Sequence, residues 1–231
     1  MARLRLEITK GEEIRYISHL DYASAIERAI IRAKLPAAYS EGFNPHMKLS
    51  FASALAVGVT SQAEYMDIEF KGDVEISQGV KRLVMALPLG IMVNSANYMP
   101  AKVPALMAIV NLATYDVLVP FTTGEFGAVE DSIRRFNEMQ EVVHTRETPK
   151  GRKDIEVKQY MAGAIGATVQ DNQVLLTIDI KITPTGSIKP GEVLAALVAI
   201  FDLNVDKDRA LIHRTGLYVA DSKTRRKPTE L

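Results

Sequence analysis

Two hydrophobic periods alternate along this chain, and their order limits the folds open to it. Residues 2–8, ARLRLEI, alternate basic with apolar side chains, as a half-buried strand does. Ala23, Ile26, Ile30 and Ala33 then recur at helical spacing after Ser18, which with Asp21 three residues on forms a capping pattern. Leu35-Pro36 ends that helix. Residues 48–57 and 64–70 read as strands, 76–87 as a helix stopped by Pro88-Leu89-Gly90, and 91–98 as a closing strand. The order is β-α-β-β-α-β. It recurs in pattern from residue 114, without sequence repetition. Strands are expected at 114–120, 142–145, 155–164, 174–182 and 211–219, with helices at 129–139 and 190–201, the latter opening on Pro190.

These patterns predict an α+β protein of two ferredoxin-like (β-α-β-β-α-β) halves packed together, with two antiparallel-rich sheets. The expected division is residues 1–100, a linker at 101–112 around Pro100 and Pro104, 113–220, and a basic tail at 221–231. That tail holds Lys223, Arg225, Arg226 and Lys227 and is expected to be mobile.

Lys+Arg and Asp+Glu both total 28 among 231 residues, so net charge points to no partner. Residues 51–130 hold 4 Lys/Arg against 8 Asp/Glu, while residues 1–50 hold 8 against 6. A nucleic-acid site would therefore be a local patch. Cysteine is absent, which excludes disulfides, thiolate metal sites, Cys-ligated clusters and a Cys nucleophile. No signal peptide or membrane-spanning run is evident, and a soluble cytoplasmic protein without membrane contact is expected.

Residues 15–50 concentrate the candidate chemistry. Arg15, Ser18, His19, Asp21, Arg28, Arg32, Ser40, Asn44, His46 and Lys48 all fall there, with two of the four histidines. Gly42 and Pro45 punctuate the loop GFNPH, and Phe43 sits inside it. Each residue has a plain structural reading beside the functional one. His19 can donate from the first helical turn, contact substrate, or act as a general base. Asp21 can cap the helix. Arg28 and Arg32 share a helical face, either solvated or facing a phosphate or carboxylate. Phe43 can stack on a base or plug the core. His46 and Lys48 alternate along a strand and share a face. A metal site from His19, His46 and a carboxylate is poorly specified, and no metal or cofactor is expected.

Two further stretches could meet phosphates. Residues 183–189, TPTGSIK, join a strand to a helix, and residues 146–153, RETPKGRK, form a basic hairpin-like stretch. An ordinary connection and a solvated turn are the plain alternatives.

Arg15-Tyr16-Ile17-Ser18-His19-Leu20-Asp21 and residues 38–51, AYSEGFNPHMKLSF, resemble the radical-SAM-linked protein family, found alone or fused to radical S-adenosylmethionine proteins. Residues 189–194, KPGEVL, and 214–218, RTGLY, extend the resemblance across most of the chain. It implies a radical S-adenosylmethionine protein as partner, and no established reaction. With the basic loops, the expected function is an accessory RNA-binding module for that enzyme in RNA modification. The expected substrate-binding residues are Arg15, His19, Asp21, Arg28, Arg32, Ser40, Phe43, Asn44, His46, Lys48, Lys189 and Arg214. The alternatives are a metal-independent RNA-processing endonuclease with His19 as base, and a protein–protein adaptor without nucleic acid. Whether the chain is an enzyme stays open.

Overall fold

The computed structural model describes residues 2–72, 74–100, 102–122, 126–148, 151–170 and 172–231. Two compact units emerge, Met1–Asn111 with Gly216–Leu231, and Leu112–Thr215. The first holds β1 (Ala2–Lys10), α1 (His19–Arg32), β2 (Leu49–Phe51), β3 (Val59–Phe70), α2 (Ile76–Ala86), β4 (Val93–Met99) and α3 (Leu106–Ile109). The second holds β5 (Leu112–Pro120), α4 (Phe126–Glu138), β6 (Val143–Thr148), β7 (Gly151–Glu156), β8 (Gly166–Gln170), β9 (Gln173–Lys181) and α5 (Pro190–Phe201). Strand β10 (Leu211–Ala220) contributes residues to each, and β11 (Arg225–Arg226) follows. The class is α+β. Nine strands share one hydrogen-bonded sheet, in the order β4-β1-β3-β10-β5-β9-β8, with β2 on β3 and β11 on β10. Two separate sheets were the expectation. Side-chain alternation fixes which face of a strand is buried, but not which strand lies across the ladder.

In the first unit, Ser18 accepts from the Asp21 N–H at 3.1 Å and starts α1 as its spacing predicts. Tyr22, Ile26, Ala29 and Ile30 turn inward. They meet Leu4, Leu6 and Ile8 from β1, Met66, Ile68 and Phe70 from β3, and Leu83 from α2. The expected strand at 48–57 shrinks to three residues, because the chain turns through 52–58 and Gly58 takes φ 83°. β3 correspondingly begins five residues early, at Val59.

The other face of β1 is buried as well, where a half-buried strand was expected. Arg5, Glu7 and Asp67 have almost no exposure. Arg5 Nε and Nη2 donate to the two Asp67 oxygens at 2.7 and 2.9 Å, and its Nη1 donates to the Pro228 carbonyl at 2.9 Å. Lys227 Nζ reaches Glu7 Oε1 at 3.0 Å, and Asn97 Nδ2 reaches the Thr229 carbonyl at 3.4 Å. Residues 221–231, expected as a mobile tail, are thus tied down. β11 pairs with β10, and a 3-10 turn at Pro228–Glu230 buries Pro228. A buried charge needs a partner, and the tail supplies one.

In the second unit β5 pairs with β9 along its whole length, from Leu112↔Lys181 to Pro120↔Gln173. Val117, Val119, Leu176, Ile178, Phe136, Val193 and Leu197 form its core. Pro190 opens α5 as expected. The expected strand at 155–164 is replaced by the tail of the β6–β7 hairpin and a 3-10 turn at Lys158–Tyr160.

Candidate functional site

The start of α1 is fastened from below. Lys10 is buried, and its ammonium donates to the carbonyls of Arg15 and Ile17 at 3.0 and 3.1 Å. Burial draws its pKa down, while the Glu64 carboxylate opposes that. Arg15 is also buried. It donates to both Glu12 oxygens, at 2.8 and 2.5 Å, and to the Gly58 carbonyl at 2.8 Å. Tyr22 sends its hydroxyl to the Thr9 carbonyl at 2.7 Å, and burial raises its pKa. These contacts hold the turn from which α1 departs. The sequence gave no sign of Lys10 or Glu64, since a polar residue at a strand end reads as exposed.

His19 is the first residue of α1 and half-buried. Its ring meets Phe51 of β2 edge-on, with centroids 5.1 Å apart and planes at 81°. Asp21 serves the cap, accepting from the Ser18 hydroxyl at 2.6 Å. Arg28 is exposed and has no ion pair among the described residues. Arg32 donates to the Ala86 carbonyl at the end of α2, at 2.6 Å.

The loop between Ser40 and His46 is a closed excursion. Tyr39 bridges Met47, the Ser40 N–H donates to the His46 carbonyl at 2.8 Å, and the His46 N–H donates to Ser40 Oγ at 2.9 Å. Gly42 takes φ 125°, a conformation side chains with a Cβ rarely adopt. Glu41 through His46 are exposed, and Phe43 is fully so, at 107%. Phe43 therefore does not plug the core. At the root of the loop, the Lys48 N–H donates to the Ala38 carbonyl at 2.8 Å, and Lys48 Nζ lies 3.7 Å from Glu69. Ser40, Phe43, Asn44, His46 and Lys48 thus belong to one loop and its base. Phe51, three residues beyond Lys48, carries the same segment to the His19 ring.

Lys189 and Arg214 belong to the second unit. Lys189 is exposed as the residue before α5, and its N–H donates to Glu192 Oε2 at 2.9 Å. Arg214 is buried and donates from Nε and Nη2 to the Tyr115 hydroxyl at 3.1 and 2.9 Å, its guanidinium 5.4 Å from the ring centroid. A surface contact from Arg214 is not available in this arrangement. No group of three His, Asp or Glu side chains is placed to hold a metal among the described residues. No helix among them is long and apolar enough to cross a membrane.

Fold and loop together define an α+β protein with a solvent-exposed aromatic on a glycine-containing loop. The chain belongs to the family described as "Uncharacterized protein conserved in bacteria (DUF2344)", which matches residues 3–190. No curated protein matches it. Among solved structures, a chain of "Crystal Structure of a Cbf5-Nop10-Gar1 Complex" is similar at TM-score 0.48 and 10% identity, over 94% of this chain and 47% of that one. This chain therefore spans about half the length of that solved chain.

Proposed function

We propose that this chain is an accessory RNA-binding module that acts with a radical S-adenosylmethionine enzyme in RNA modification. The observation that carries the RNA half of this reading is Phe43, fully exposed on a loop closed by Ser40 and His46. A large apolar ring held in water on an ordered loop is set to stack on a base. Asn44 and His46 beside it offer hydrogen-bonding edges, and exposed Arg28 offers a cation. The radical-enzyme half rests on the motif resemblance. The strand orders β4-β1-β3-β2 and β10-β5-β9-β8 support reading each unit as ferredoxin-like.

Fluorescence anisotropy with a labelled single-stranded oligoribonucleotide tests the RNA half. Phe43→Ala should weaken binding roughly 5- to 150-fold, the equivalent of about 1–3 kcal/mol of lost stacking. Arg28→Ala should shallow the log–log salt dependence by about 0.7. If wild type shows no salt-sensitive binding, the RNA reading fails. Tyr16 and Leu20, both 76% exposed at the start of α1, favour the adaptor as a second reading. Binding to the radical enzyme that is lost in Leu20→Asp, in a chain that ignores RNA, would establish that reading instead.

A further inference from the structure

Two stretches of the second unit, far apart in sequence, line one cleft of about 240 Å³. One is the hairpin β6–β7 and the other is the loop Thr185-Gly186-Ser187. Pro149 and Lys150, in the tip of the basic stretch 146–153, lie outside the described residues. The cleft volume equals roughly eight waters of liquid, enough for a tetrahedral oxyanion with part of its hydration.

Its charge is arranged by the hairpin register. Arg146 and Lys153 are directly opposite each other across the ladder, so both side chains leave the same face. Like charges placed this way repel, and only one of the two is neutralised. Arg146 Nη2 donates to Glu192 Oε2 at 2.6 Å, and Nε lies 2.5 Å from Oε1 but outside hydrogen-bonding direction. Lys153 is exposed and has no ion pair among the described residues.

The cleft's own carboxylates do not cancel that charge. Asp154 sits on the opposite face of the hairpin and accepts from Thr145 Oγ1 at 2.7 Å. Glu156 accepts from the N–H groups of Val142, Lys158 and Gln159, at 2.9, 2.9 and 2.5 Å. Across the cleft, Thr183 and Gly186 exchange two backbone hydrogen bonds of 3.0 Å, which fixes the turn. Gly186 takes φ 133°, and a Cβ there would meet nothing within 4 Å, so its backbone faces open space.

We propose that this cleft seats a phosphoryl group, with Lys153 and Arg146 as its cationic wall and the Thr185–Ser187 turn opposite. It is independent of the loop around Phe43. The phosphoryl group can belong to a small free compound or to an RNA backbone, and the test separates these sources. Full-length ¹⁵N-labelled protein is titrated first with pyrophosphate and then with a short oligoribonucleotide. Saturable shifts of the Lys153, Thr185, Gly186 and Ser187 amides are expected, with the apparent Kd about tenfold weaker in Lys153→Glu and recovered in Lys153→Arg. Response to pyrophosphate supports a free phosphorylated ligand. Response to the oligoribonucleotide alone supports a phosphodiester. If neither shifts these amides, or Lys153→Glu responds as wild type does, the proposal is overturned. Lys153 is exposed, so its variants report on the cleft without disturbing the core.

Discussion

The Arg5–Asp67 pair makes a sharp energetic prediction. Both side chains are essentially out of water, joined by two hydrogen bonds, with the third Arg5 donor spent on the Pro228 carbonyl. Asp67→Ala strands a guanidinium inside the first unit, and breaking such a buried pair from one side costs about 3–5 kcal/mol. Arg5→Ala should cost a similar amount, since Asp67 and the Pro228 carbonyl both lose their donor. Replacing both at once with apolar groups of matching size, Arg5→Met with Asp67→Leu, removes the charges together. Only the Pro228 carbonyl is then orphaned, so the double variant should lose about 1–3 kcal/mol, less than the two single losses combined. Equilibrium urea denaturation, read by circular dichroism at constant slope, measures all four corners of the cycle. A loss below about 1 kcal/mol for Asp67→Ala, or simple additivity in the double variant, would refute the claim that this pair is desolvated and coupled.

Three other perturbations have signed outcomes. Phe136, wholly buried with Phe201 edge-on at 5.5 Å and the Lys158 ammonium 4.5 Å from its ring centroid, should lose about 3–5 kcal/mol as Phe136→Ala, measured in the same assay. Burial raises the hydroxyl pKa of Tyr22 and Tyr65, with the Glu64 charge adding at Tyr22 and the Glu7 charge at Tyr65. Their stabilising contribution is complete below about pH 10 and is lost as pH climbs through the raised values. At least two of the eight tyrosines should therefore ionise in ultraviolet titration only as the fold opens. The hydrogen bond to Glu7 likewise raises Lys227, whose contribution is complete below about pH 10.4 and lost above it. Lys227→Met should flatten the alkaline fall in melting temperature, and an unchanged fall would count against the Lys227–Glu7 contact.

Local signals in the sequence carried further than long-range ones. Ser18 and Asp21 announced the start of α1, and Pro190 the start of α5, because caps act within one turn. Helix α2 follows its periodic pattern to within a residue. The arginines of the RLRL stretch were misleading. Alternation placed them on a wet face, whereas residues 227–230 cover that face from more than 200 positions away. Strand β8, Gly166–Gln170, escaped notice because it is short and opens on Gly166-Ala167, which carry little strand pattern. In the candidate site, the residue types of the loop were legible and their exposure was not. Phe43 is compatible with either a core or a surface until the Tyr39–Met47 bridge sets where the loop leaves the sheet. Arg15 and Arg214 read as ligand contacts by charge alone, but Glu12 and Tyr115 occupy their donors.

The first unit is interrupted in sequence by the second, since it is left at Asn111 and rejoined at Gly216. On a ribosome this imposes a delay. At about 5–20 residues per second, roughly 10–30 s separate the emergence of Asp67 from that of Pro228. During that interval the second unit's residues appear in full, while the charged face of β1 and β3 still lacks Pro228 and Lys227. A nascent chain paused before residue 227 would keep Arg5 and Glu7 open to water and to any charged molecule nearby. The last segment to be made is the one that dries the first strand.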